Sequence, residues 1–152
     1  MPYEKIIELL DSRKIKYKIE EHEPVFTSEQ AAKVKGMPIN MGAKSLLLKI
    51  GNNFILAVLA GDKKLDSRKV KSAIGSSNLR FATPDEVKDK MDCEIGACYP
   101  FGNIIGLATF VDESFSDNNI FYFNPGRHDI TIEMNYMDFM ELCKPKVADI
   151  SK

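Results

Sequence analysis

Hydrophobic and polar positions follow two periods along this chain, and the switch between them marks its elements. Tyr3, Ile6, Ile7 and Leu10 recur at helical spacing behind Pro2, a residue tolerated in a first helical turn, so the pattern predicts a short amphipathic helix. Tyr17 and Ile19 alternate with Lys18 and Glu20, as in a half-buried strand. Thr27, with Gln30 three residues on, predicts a capping box for a brief second helix that Gly36 stops. Apolar runs at 45–50 and 54–60, parted by Gly51-Asn52-Asn53, predict a hairpin at the centre of the sheet.

Asp66 predicts the cap of a helix carrying Val70, Ala73 and Ile74 and ending near Gly75. Thr83-Pro84-Asp85-Glu86 places a cap, a first-turn proline and acids in the order another helix needs. After Gly96 the texture turns to strands at 104–111, 119–123 and 130–134, the last behind an Asn124-Pro125-Gly126 turn. Asn135 is then expected to cap a final helix with Met137, Phe139, Met140 and Cys143 on it. The order α, β, α, β, β, α, β, α, β, β, β, α predicts a mixed α/β (α+β) fold whose central sheet is largely antiparallel. With 152 residues, 44% of them hydrophobic and 28% charged, one domain spanning 1–152 is expected.

Lys49 and the following turn interrupt the best apolar stretch well short of the roughly 20 residues a membrane-spanning helix needs. Acids near the start, in Met-Pro-Tyr-Glu-Lys-Ile-Ile-Glu, do not suit a secretory signal, and the reading is cytoplasmic. Cys93, Cys98 and Cys143 form no CxxC pair, which fits reduced thiols. Neither His22 nor His128 lies near a cysteine pair at zinc-ligand spacing, and no metal site or cofactor is expected. The net charge of −1 hides a division: residues 33–90 hold 12 Lys and Arg against 5 Asp and Glu, a local +7 with −8 elsewhere. Such a middle segment is either an electrostatic footprint for a polyanion or ordinary solvated surface. Aromatic and basic residues are not interleaved as they are where single-stranded bases stack.

The chain has no GxSxG elbow, no GxxxxGK[ST] phosphate loop, no HExxH and no GxGxxG, so most large enzyme classes lose support. Cys98 as nucleophile with His128 as base is a narrow option, since nothing local pairs them. Two segments stand out. Met41-Gly42-Ala43-Lys44-Ser45 puts a lone lysine where the chain enters an apolar strand. There it is either solvated or a compact positive charge for a phosphate or a developing oxyanion. Gly96-Ala97-Cys98-Tyr99-Pro100-Phe101-Gly102 is either a connector or a loop that aims backbone N–H groups at a bound carbonyl.

Taken with His22-Glu23-Pro24-Val25-Phe26-Thr27, these segments resemble the YbaK/ProX family of trans-editing aminoacyl-tRNA deacylases. The likeness runs from about Ile15 to Glu133 and takes in Gly61-Asp62-Lys63-Lys64-Leu65-Asp66, the Val111-Asp112 strand end and the segment from Asn124 through Gly126, Arg127 and His128 to Glu133. It implies a curved, mixed sheet ringed by short helices, as in the editing domain of some prolyl-tRNA synthetases. It also implies metal-independent hydrolysis of the ester between a wrong small amino acid (Ala, Cys, Ser or Thr) and a tRNA for proline. The alternative is a module of the same fold that binds tRNA or a synthetase without turnover.

By this resemblance Lys44 matches the family's essential lysine, and Gly96, Ala97, Cys98, Tyr99 and Pro100 match its GxxxP loop. Phe26, Thr27, Ser45, Gly126, Arg127 and His128 fall where the family contacts substrate, with Phe26, Ser45 and His128 on the wall that selects the amino acid. The expected partner is the aminoacylated end of a tRNA, with a synthetase as a further candidate. Lys63, Lys64, Arg68, Lys69 and Lys71 are the residues expected to steer it.

Overall fold

A computed structural model describes residues 1–152, and local chemistry accounts for its helix ends. Helix α1 (Pro2–Ser12) starts on its proline and buries Ile6 and Leu10. Helix α2 (Ser28–Lys35) starts at Thr27, whose hydroxyl accepts the Gln30 amide at 3.1 Å, and ends on Gly36 in the left-handed region at φ 70°. The Gln30 side chain accepts the Phe26 amide at 2.8 Å, so the expected box is displaced by one residue and ties the preceding loop to the helix. Asp66 caps α3 (Ser67–Ile74), and Thr83 and Glu86 form a reciprocal box on α4 (Pro84–Met91). Asn135 precedes α5 (Tyr136–Cys143) without accepting an amide; its side chain donates to Asp138 instead, which corrects the expected cap.

Strands β1 (Tyr17–Glu21), β2 (Ala43–Ile50), β3 (Asn53–Ala60), β4 (Leu79–Phe81), β5 (Ala108–Asp112), β6 (Ile120–Phe123) and β7 (Ile130–Asn135) keep the expected order, and β8 (Lys146–Ala148) follows α5. They form two sheets, β4-β2-β3-β5-β8 and β1-β7-β6. Pairing is parallel at β3/β5 and β5/β8 and antiparallel elsewhere, the mixed and largely antiparallel arrangement that was expected. The expected strand at 104–111 begins only at Ala108, because Gly102–Ile105 coils into a 3-10 turn that Gly106 closes.

β3 reads as a continuous apolar run because both faces of its sheet are covered. One face carries the main core, where Leu56 and Val58 meet α1, α5 and the aromatic residues Phe101, Phe121 and Phe139. On the other, Leu48, Ala57 and Leu59 pack under Val70 of α3 and Ile150. β1 is instead an exposed edge, with Ile19 at 38% exposure, so its alternation does not mark a half-buried strand. The two sheets meet where Gly42 bridges Tyr122; a Cβ on Gly42 would lie 2.8 Å from the tyrosine ring.

Candidate functional site

β4 pairs only with Leu48–Ile50, so the first half of β2 has no strand along its outer edge. A cavity of about 290 Å³ opens there. The loop before α2 brings Phe26 and Thr27 to it, β2 brings Lys44 and Ser45, and the loop after α4 brings Gly96 and Cys98. These six sequence-predicted residues, drawn from three separate segments, share one pocket.

The Lys44 side chain is half-buried, and its ammonium donates to the Lys63 carbonyl. Burial pushes its pKa below the ordinary lysine value; Asp62 and Glu29 pull it back up, and Lys64 lowers it further. Ser45 is 9% exposed and its hydroxyl has no hydrogen-bond partner, one of two buried side-chain polar atoms in that state. An orphaned buried hydroxyl costs about 1–3 kcal/mol. Ser45 lines the pocket, and its hydroxyl is a hydrogen-bonding group that the fold itself leaves unused.

The loop is shaped by Gly96, which holds φ 93°; a Cβ there would lie 3.3 Å from the Phe26 carbonyl and 3.4 Å from His128. Ala97 is spent within the fold: its amide donates to Glu94 at 3.0 Å and its carbonyl accepts from Gly126 at 2.9 Å. The amides of Cys98 and Tyr99 have no partner within the chain. The Tyr99 side chain turns into the core, donating to the Met91 carbonyl at 2.9 Å, and Pro100 is buried beside Cys143. Of the five loop residues predicted for catalysis, the pocket therefore meets only Gly96 and Cys98, because the others satisfy core packing and turn hydrogen bonds.

Gly126, Arg127 and His128 line a neighbouring, more open groove of about 470 Å³ that shares Phe26 with the pocket. His128 supports the wall from behind, its ring 4.5 Å from that of Phe26 and its Nδ1 3.0 Å from the Val25 carbonyl. Arg127 makes a bidentate pair with Asp129 and lies over Tyr3, which points it away from the pocket. Cys98 meets Cys93 and not His128: the Cys93 thiol donates to the Cys98 sulfur at 3.8 Å, which pulls the Cys98 pKa down and pushes that of Cys93 up. The Cys98–His128 dyad has no geometric basis.

Asn124, at the start of the turn that the resemblance took in, lines the pocket too, as do Ile95 and Tyr122, which escaped sequence reasoning. The Asn124-Pro125-Gly126 turn was the available signal, but nothing in it says that β6 ends beside β2. Of the expected steering residues, Lys69 is tied to Asp149 and the Ser151 carbonyl, at 2.9 and 2.8 Å. No helix of the chain is long and apolar enough to cross a membrane.

The chain is similar to the multifunctional Ser/Thr-tRNA deacylase ProXp-y of Escherichia coli strain K12, at 26% identity over 99% of this chain and 93% of that protein. It is similar to the prolyl-tRNA editing protein ProX of Acetoanaerobium sticklandii at 29% identity, covering 91% of this chain and 88% of that one. In fold it resembles a solved structure described as a candidate trans-editing enzyme for prolyl tRNA synthetase, with a TM-score of 0.87 and 24% identity over 100% of this chain and 98% of that one. Residues 22–142, which hold every side chain placed around the pocket, match the aminoacyl-tRNA editing domain, and the chain belongs to that family.

Proposed function

We propose that this protein is a trans-editing hydrolase, working as one domain over residues 1–152, that removes a small amino acid from a mischarged tRNA, with tRNA for proline the favoured carrier. The observation that carries this reading is that one small pocket is lined by Lys44, by Cys98, whose amide has no partner within the chain, and by Ser45, whose hydroxyl has none. An aminoacyl ester is already activated, so its hydrolysis needs placement and charge stabilisation more than a protein nucleophile. The Lys44 ammonium anchors the terminal nucleotide, its ribose and its phosphate. The Cys98 amide meets the ester carbonyl as it becomes an oxyanion. Water adds to the carbonyl carbon, the neighbouring ribose hydroxyl of the substrate passes the proton, and the C–O bond to the tRNA breaks to leave a free amino acid and an intact tRNA.

A pocket of this volume suits Ala, Cys, Ser or Thr, and the Ser45 hydroxyl favours the hydroxylated pair, the substrates in the name of the E. coli relative. Ser45→Ala is expected to slow deacylation of seryl and threonyl esters about 5- to 50-fold while sparing the alanyl ester. The same change is expected to raise the melting temperature, since it removes an orphaned hydroxyl. Equal losses on all esters would show that Ser45 does not select the side chain.

A panel of mischarged tRNAs tests the reading as a whole. Turnover of at least one of them supports it; binding without turnover would leave a tRNA- or synthetase-binding module. Cys98→Ser is expected to change turnover by less than about tenfold, because the hydroxyl preserves the backbone and its amide, whereas loss of a true nucleophile costs roughly 10⁴-fold or more.

A further inference from the structure

A second hollow, about 700 Å³ in volume and more open to solvent, lies beyond Lys44 and Leu46, the two residues it shares with the small pocket. Its other cations come from two distant parts of the chain: Lys64 and Arg68 around the start of α3, and Lys152. Lys63, Lys69 and Lys71 lie outside it. Asp66 is the one acidic side chain on its wall, and an oxygen of that group is already engaged by the amides of Arg68 and Lys69. Phe81, at the end of β4, presents an aromatic side chain that is 55% exposed on the same wall.

Lys152 is held there by design of the fold. Asp112, wholly buried at the end of β5, accepts the amides of Ile150 and Ser151 at 2.9 and 3.0 Å and the Ser151 hydroxyl at 3.0 Å. Ser151 bridges to Leu65, and the Lys152 amide donates to the Lys64 carbonyl at 2.9 Å. Residues 143–152, which form this wall, lie outside the segment that matches the editing-domain model.

We propose that this groove is the track for the single-stranded 3′ end of the tRNA, with backbone phosphates on Lys64, Arg68 and Lys152 and a base stacked on Phe81. The assignment rests on the editing reading and divides the substrate between two cavities that meet at Lys44: the small apolar one takes the aminoacyl group, the open cationic one the nucleotides. Clustered cations with little internal neutralisation favour a polyanion, and an exposed ring offers a sequence-tolerant stacking platform. The aromatic and basic residues are not interleaved in sequence because four separate segments contribute them.

The test is binding of a fluorescent, unacylated oligoribonucleotide ending in CCA to the full chain across a salt series. Lys64→Ala, Arg68→Ala and Lys152→Ala are each expected to weaken binding and to reduce the slope of log K against log salt by about 0.7. Phe81→Ala is expected to weaken binding about tenfold with the slope unchanged. Lys152→Ala removes only a side chain from a segment seated through its backbone, so an unchanged melting temperature accompanies its loss of binding. Lys16→Ala, at an exposed site outside the groove, is expected to bind as the parent does. Groove variants that bind as tightly as the parent, or a Lys16→Ala loss of equal size, would overturn the assignment. Should no mischarged tRNA be turned over while the groove variants still lose the oligonucleotide, the groove stands and the editing reading falls.

Discussion

Lys44→Ala is expected to lower kcat/KM for a mischarged tRNA by about 10³-fold, a loss of roughly 4 kcal/mol of transition-state stabilisation, with little change in melting temperature. The asymmetry follows from the site. Lys44 projects from β2 into both cavities and makes one hydrogen bond, to the Lys63 carbonyl, so its removal leaves the pairing of β2 with β3 intact. Its cost falls on the bound ester, where a half-buried ammonium is worth more than one in water. Lys44→Arg is expected to restore little, because a planar guanidinium cannot occupy the space of a compact ammonium. Steady-state deacylation beside a thermal melt separates the two effects; a variant with parental turnover would end the assignment of Lys44 to the chemistry.

Asp112→Ala is expected to be the most destabilising of the substitutions considered, by about 3 kcal/mol or roughly 10 °C in melting temperature. Its carboxylate is fully buried and gathers Ser114, Ile150 and Ser151 around it. Truncation would strand the two amides of the 150–151 segment, which sits under β3 and α3 through Ile150. Burial by itself would raise the Asp112 pKa, but hydrogen bonds from Ser114, the Ile150 amide and Ser151 overcome it and hold the group below its usual range. A carboxyl whose folded pKa is depressed stabilises the fold fully above its unfolded value, near 4, and loses that contribution as pH falls through the folded one. The gap between parent and Asp112→Ala is therefore expected to be widest at neutral pH and to shrink below about pH 4, as read by thermal unfolding at several pH values. A gap that is constant with pH would show that the lost stability is packing and not the ionised network.

Much of the fold was legible because its determinants are local. A threonine or aspartate at a helix start, as at Thr27, Asp66 and Thr83, finds its amide partners within three residues. The β2–β3 hairpin follows in the same way from two apolar runs around a glycine turn. β8 was not legible: Lys146, Val147 and Ala148 are too few and too polar to show a period, and they form a strand because β5 offers them an edge. The candidate site divides along the same line. Lys44 and Gly96 stood out by residue type, but Tyr99 and Pro100 carry the same motif and face the core, and Arg127 is taken by Asp129.

By itself the sequence determined the order of elements, the caps and turns that bound them, and the family, since each of these depends on residue identity at short spacing. Only the tertiary structure decided which edge of β2 stays unpaired, that Ser45 is left without a partner, and that Lys64, Phe81 and Lys152 face one groove. Those facts depend on contacts between residues as far apart as Asp112 and Ser151. Such contacts form when buried polar groups find partners across the fold, and no window along the chain contains both ends of them.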